Sequence, residues 1–178
     1  MRDHPGLLGP RGADLIRHEV EPPTVEPPDG LPLATAENLA EIRVPGGVDP
    51  FDTAAAAEPR WAVWARADGM PADSGCSEAY VAYQANAFLV SAAVLAHEGV
   101  SMHSAHNDLM AVINSSDVVF HRPVDASAWL LFTQESTFAA GGWVFGRGQV
   151  FEGSGGLVAS YAEEAMLRAL PPGTSAGL

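Results

Sequence analysis

Ser77 to Gly99 reads SEAYVAYQANAFLVSAAVLAHEG, and its spacing decides the architecture. Val81, Ala85, Phe88, Ala92 and Leu95 recur at helical intervals, so one stripe of a long helix is apolar. Many of the intervening residues are small, which permits close approach to a sheet. Ser74 or Ser77 can cap the helix start, with Glu78 near the positive end of its dipole, and Gly99 supplies the stop. No second long helix follows. Instead there are four strand-like runs, at Met110 to Val124, Trp129 to Phe138, Trp143 to Glu152 and Leu157 to Leu170. Their connections, Asp125-Ala126-Ser127, Gly141-Gly142 and Gly153 to Gly156, are short, which predicts antiparallel neighbours joined by hairpins. Ahead of the helix, Trp61, Val63 and Ala65 alternate with Ala62, Trp64 and Arg66, a strand ended by Asp68-Gly69. One long helix with an antiparallel meander is an α+β design in which the sheet wraps the helix.

The rest of the chain is of a different texture. Ten of the 14 prolines lie in the first 59 residues, and Glu21 to Pro32 (EPPTVEPPDGLP) reads as extended and polyproline-like. Ala34 to Ala40 suits a short helical turn and Ala54 to Ala57 a small-residue linker. Residues 1–58 are therefore read as an arm laid against something else, 59–172 as one domain and 173–178 as a disordered tail. Met1 to Gly12 has no apolar core of signal-peptide length. The apolar-looking run Ala85 to Ala96 is too short to span a bilayer. A single cysteine, Cys76, cannot form an internal disulfide, and the expected location is the cytoplasm.

Charge narrows the function. Of 178 residues, 22 are Asp or Glu and nine are Lys or Arg, a formal net charge of −13. All nine cations are arginines, which removes Schiff-base lysine chemistry and the phosphate-binding lysine of a P-loop. The acidity argues against nucleic acid. No G-x-S-x-G nucleophile elbow occurs, and Gly146-Arg147-Gly148 lacks the third glycine and the helix of a dinucleotide fingerprint. His97, Glu98, His103 and His106 have zinc-like spacing but are read as solvated side chains, so no metal and no cofactor are expected.

Val119-Phe120-His121-Arg122-Pro123, Trp129-Leu130-Leu131, Glu135-Ser136-Thr137 and Leu157-Val158-Ala159-Ser160 followed by Glu163-Glu164 carry a resemblance. With Pro28 to Pro32 and Val63 to Gly69 upstream, the order and spacing over about residues 25–170 resemble the C-terminal hotdog half of the acyl-CoA thioesterase II family. The resemblance implies a hotdog fold and hydrolysis of an acyl thioester, on CoA or an acyl carrier protein. The family attributes hydrolysis to a water held by a helix aspartate, a strand hydroxyl and a strand glutamine. The matching positions here carry Asn86, then Ile113 or, with a slip of two or three residues, Ser115 or Ser116, and Glu163. A carboxylate and an amide thus remain, exchanged between helix and strand, and a water between Glu163 as base and Asn86 as orienting group keeps both functions. Backbone N–H groups near the helix start are expected to stabilise the thioester oxygen.

The catalytic candidates are therefore Glu163, Asn86, Ser115 and Asp117, the last as a carboxylate available in a different register. Candidate substrate contacts are Arg122, as a phosphate fork, with Gln134, Tyr83 and Ile113. Because such sites form between two hotdog units, the chain is expected to pair as a homodimer, sheet edge to sheet edge, or with a separate N-terminal half. Dehydration, isomerisation or cyclisation of a polyketide-like chain, and non-catalytic acyl binding, are the alternative functions.

Overall fold

The computed structural model describes residues 19–25, 28, 31–33, 40–52, 57–67, 69–71 and 73–171. The helical turn expected before Ala40, most of the 54–57 linker and the tail from 173 lie outside these residues. Strands β1 (Leu31–Leu33), β2 (Glu41–Val44) and β3 (Arg60–Arg66) precede helix α1 (Ser74–Val94). A short helix α2 (Met102–Asn107) then leads into β4 (Leu109–Phe120), β5 (Leu130–Ala140), β6 (Trp143–Glu152) and β7 (Leu157–Ala169). All pairs are antiparallel, in one seven-stranded sheet ordered β1-β2-β3-β5-β6-β7-β4.

The helical stripe read from the sequence is the one the core uses. Val81, Ala85, Phe88, Ala92 and Leu95 all pack into the main cluster with Trp61, Val63, Phe132 and Val150. From Phe88 to Leu95 every side chain is buried, so the last two turns are enclosed on all sides and small residues there let the sheet close around them. The cap differs from expectation. Asp73, not Ser74 or Ser77, accepts the N–H groups of Gly75 (2.7 Å) and Cys76 (3.2 Å). Ser77 is buried, and its hydroxyl accepts the Ala126 N–H at 3.1 Å.

That contact explains a second difference. β4 and β5 are not a hairpin: β4 crosses to the far edge and pairs with β7, while β5 pairs with β3 and β6. The connection at 121–129 instead passes the start of α1. Val124 and Ala126 are buried there, and the Ala126 carbonyl accepts the Ala67 N–H at 2.8 Å. A short connection looks like a hairpin in sequence, yet its apolar residues gain more by filling the helix end than by turning.

The proline-rich segment also contributes more than an arm. β2 extends the sheet beyond β3, and Ile42 and Val44 belong to the main core. Glu19 accepts the Leu157 N–H and the Arg122 guanidinium, both at 2.9 Å. Val25 packs with Trp64, Leu131 and Phe151 on the sheet's outer face.

Two glycines on β6 set the clearance inside the sheet. A β-carbon added at Gly146 would meet the Leu89 side chain and, at 2.6 Å, the Glu135 carbonyl oxygen. One added at Gly148 would strike the Tyr161 ring and the Thr133 carbonyl oxygen. Backbone cannot yield as a side chain tip does, so Gly148→Ala should cost about 1–3 kcal/mol. Thermal unfolding should register this as a fall of several degrees; an unchanged midpoint would mean that the ring relocates freely.

Candidate active site

The inner face of the sheet, under α1, carries an unusual set of polar groups. Strand alternation puts Tyr161, Glu163 and Ala165 of β7 on this face, with Gly146 and Gly148 of β6 and Gln134 and Ser136 of β5 beside them. Glu163 pairs with Gly146 on one side and Ser116 on the other. Its side chain is 1% exposed, and the Ser116 hydroxyl donates to Oε1 at 2.9 Å. Oε2 has no partner among the described residues. Burial pushes the carboxyl up to about 7, and the Ser116 hydrogen bond opposes this by favouring the charged form.

Asn86 approaches from the helix. It stands one turn before Leu89 and two before Ala93 on one stripe of α1. Leu89 and Ala93 pack on Val144 and Ala165, and Leu89 covers Gly146, the register partner of Glu163. The Asn86 Oδ1 is buried without a partner among the described residues. Gln134 is 4% exposed. The Tyr161 hydroxyl reaches over Gly148 to donate to its Oε1 at 3.0 Å, and Nε2 has no partner among the described residues. Burial first, and then the negative charge of Glu163, hold the Tyr161 hydroxyl well above its ordinary range. A carboxylate oxygen on β7, an amide acceptor on α1 and an amide donor on β5 are thus buried without partners among the described residues. Each costs about 1–3 kcal/mol while unpaired.

Other candidates fall elsewhere. A register shift between Ile113 and Ser115 puts Ser115 opposite Glu164 and Asp117 opposite Ala162. Both are exposed on the outer face, and of the three positions left open, Ile113, Ser115 and Ser116, it is Ser116 that meets Glu163. A bulge reverses which residues face inward, and nothing in the local sequence announces it. Ile113 is a packing residue under the end of α1. Tyr83, three residues before Asn86, is 54% exposed. Arg122 is engaged by Glu19 at 2.9 Å, so its fork ties down the N-terminal segment. The first free N–H groups of α1 are occupied by Asp73, so they do not form the expected oxyanion site. Tyr161 was missed because a tyrosine in an apolar strand reads as core; only the glycine pair in Gly146-Arg147-Gly148 signals its reach. His103 stacks edge-on against Phe51, with ring centroids 5.1 Å apart. No helix among the described residues is long and apolar enough to cross a membrane.

A single long helix gripped by an antiparallel sheet, with polar groups buried between them, defines a hotdog protein. Residues 18–167 match the acyl-CoA thioesterase C-terminal domain family, and the chain belongs to it. Acyl-CoA thioesterase 2 of Haemophilus influenzae is 28% identical over 134 residues, covering 75% of this chain and 46% of that protein. The crystal structure of acyl-CoA thioesterase II TesB2 from Mycobacterium marinum aligns with a TM-score of 0.70 at 27% identity, covering 89% of this chain and 59% of that one. A hot dog fold protein from Alicyclobacillus acidocaldarius shares the fold, with a TM-score of 0.63 at 19% identity over 87% of this chain and 57% of that chain. The chain thus spans about half the length of these relatives.

Proposed function

We propose that the chain hydrolyses an acyl thioester, on CoA or an acyl carrier protein, with water activated at Glu163. The observation that carries this is the buried Glu163 carboxyl, which Ser116 holds and whose Oε2 has no partner among the described residues. Ionised Glu163 takes a proton from water as its oxygen bonds to the thioester carbon, and the Asn86 Oδ1 accepts the other proton in a hydrogen bond. Collapse of the tetrahedral species breaks the C–S bond, and the thiolate leaves with the proton that Glu163 had taken. The Gln134 Nε2, a buried donor without a partner among the described residues, is suited to the substrate oxygen and is fixed in orientation by Tyr161. The names of the relatives support acyl-CoA as the substrate class. The chain's paucity of cysteine suits the cytoplasm.

The active assembly is a homodimer joined along β4, or a pair with a separate N-terminal half. Among the described residues β4, 12 residues long, pairs only with β7, and Ser116 lies on it, so a neighbouring edge would roof the site. Purified protein incubated with a panel of acyl-CoA and carrier-protein thioesters should release free thiol. Consumption of substrate without thiol would instead place Glu163 in acid–base chemistry on the acyl chain.

The pH dependence follows from the same carboxyl. A base must be ionised, so kcat/KM should rise with pH through a midpoint near 7 and then level. Ser116→Ala removes the bond that favours the charged form and should move that midpoint upward; a fixed midpoint would exclude Glu163 as its source. Stability runs oppositely. The folded-state pKa is raised from 4.5, so Glu163's contribution is full below that value and is lost as pH rises through about 7.

A further inference from the structure

At the end of α1 a cavity of about 270 Å³ lies between the helix, the β5–β6 hairpin and the last residues of β7. Ala93, Ala140, Trp143, Val144 and Leu167 are on its wall, and among the described residues its one ionisable neighbour is His97, in the turn just after the helix. An apolar cavity of about 150 Å³ already holds benzene, so this space admits several further carbons. Gly141 and Gly142 make the hairpin turn, both with positive φ, and put no side chain across the mouth.

The wall continues the packing that surrounds Glu163. Glu163, Ala165 and Leu167 alternate along β7 on the face under α1, and Gly146 and Val144 of β6 stand opposite Glu163 and Ala165. Leu89 and Ala93 of α1 pack on Val144 and Ala165, with Leu167 against them. Ala93, Val144 and Leu167 thus belong to this seam and to the cavity wall alike. Between Glu163 and the cavity the seam is built from alanines, a valine and a glycine. Leu89, whose side chain rests over Gly146, is the largest group in the way.

We propose that the seam and cavity take the tail of a medium-length, unbranched acyl chain whose thioester lies at Glu163, with Leu89 as the side chain that yields to admit it. The inference rests on the hydrolytic reading above, which sets the thioester at that carboxyl. Length then follows from geometry. Glu163 to Leu167 is about 13 Å at about 3.3 Å per strand residue. A straight chain advances about 1.25 Å for each C–C bond of about 1.5 Å, so its tail meets the Leu167 wall near the tenth carbon. A chain of six carbons ends beside Leu89 and Ala93 and leaves the cavity empty.

Calorimetry with Glu163→Gln reads the cavity apart from the chemistry. Affinity should rise about fourfold for each methylene from hexanoyl-CoA to decanoyl-CoA, the gain expected for burying one such group. Ala140→Trp, at an exposed residue of the cavity rim, should weaken decanoyl-CoA at least tenfold more than hexanoyl-CoA while the unfolding midpoint holds. A bromine on the last carbon of the decanoyl chain should quench a component of the fluorescence that Trp143→Phe lacks, because that ring lines the cavity. Equal affinity for hexanoyl-CoA and decanoyl-CoA would overturn the proposal, as would an Ala140→Trp variant that binds both like the parent. Thiol release is scored separately: its absence, with affinity still climbing along the series, would remove the hydrolysis and leave the cavity's role standing.

Discussion

Glu163→Gln should lower acyl thioester hydrolysis by about 10²–10⁴-fold, the range expected when a positioned general base is removed. The amide retains an oxygen to accept the Ser116 hydroxyl and nearly the same volume, so the packing over Gly146 persists. It cannot take a proton from water. The variant should also be at least as stable as the parent above pH 7, because a neutral amide replaces a carboxylate whose ionised form is penalised by burial. Loss of rate together with retained or raised stability separates a chemical role from a structural one. Thiol release and thermal unfolding measured on one preparation decide the matter: an unchanged rate would remove Glu163 from the reaction.

Phe132→Ala should be the most damaging core substitution, costing about 3–5 kcal/mol. Phe132 is fully buried, and its ring meets Phe88 of α1 edge-on at 5.2 Å, while Phe88 meets Trp61 of β3 at 5.5 Å. The three rings join β3, α1 and β5, so truncation removes a large buried area together with the edge contact that ties β5 to α1. The midpoint of thermal unfolding should fall on the order of ten degrees, and urea unfolding should show the same change as a lower midpoint concentration. A loss below about 1 kcal/mol would mean that α1 settles into the space.

The α1 stripe and the strand runs were legible in the sequence because each rests on local periodicity. A residue every 3.6 positions, or every second one, faces the core whatever the topology. The same periodicity was silent on strand order. The 121–129 connection reads as a hairpin, and only the fit of Val124 and Ala126 at the start of α1 sends β4 to the far edge. For the buried polar layer, counting along family motifs singled out Asn86 and Glu163 and left Ile113, Ser115 and Ser116 open for the hydroxyl. A single extra residue in β4 exchanges the faces of the strand, so Ser116 and not Ser115 meets the carboxylate. Arg122 shows the same limit: its affinity for anions was evident, while its engagement by Glu19, over a hundred positions away, was not.

By itself the sequence determined the long helix, the strand-rich half, the absence of lysine, and the polar residue types on hand. All of these follow from composition and short-range spacing. Tertiary structure alone decided the strand order, the facing of Ser116, the reach of Tyr161 across Gly148 and the burial that brings Glu163 near neutrality. Those depend on which distant segments exclude water from one another, and no local pattern encodes that.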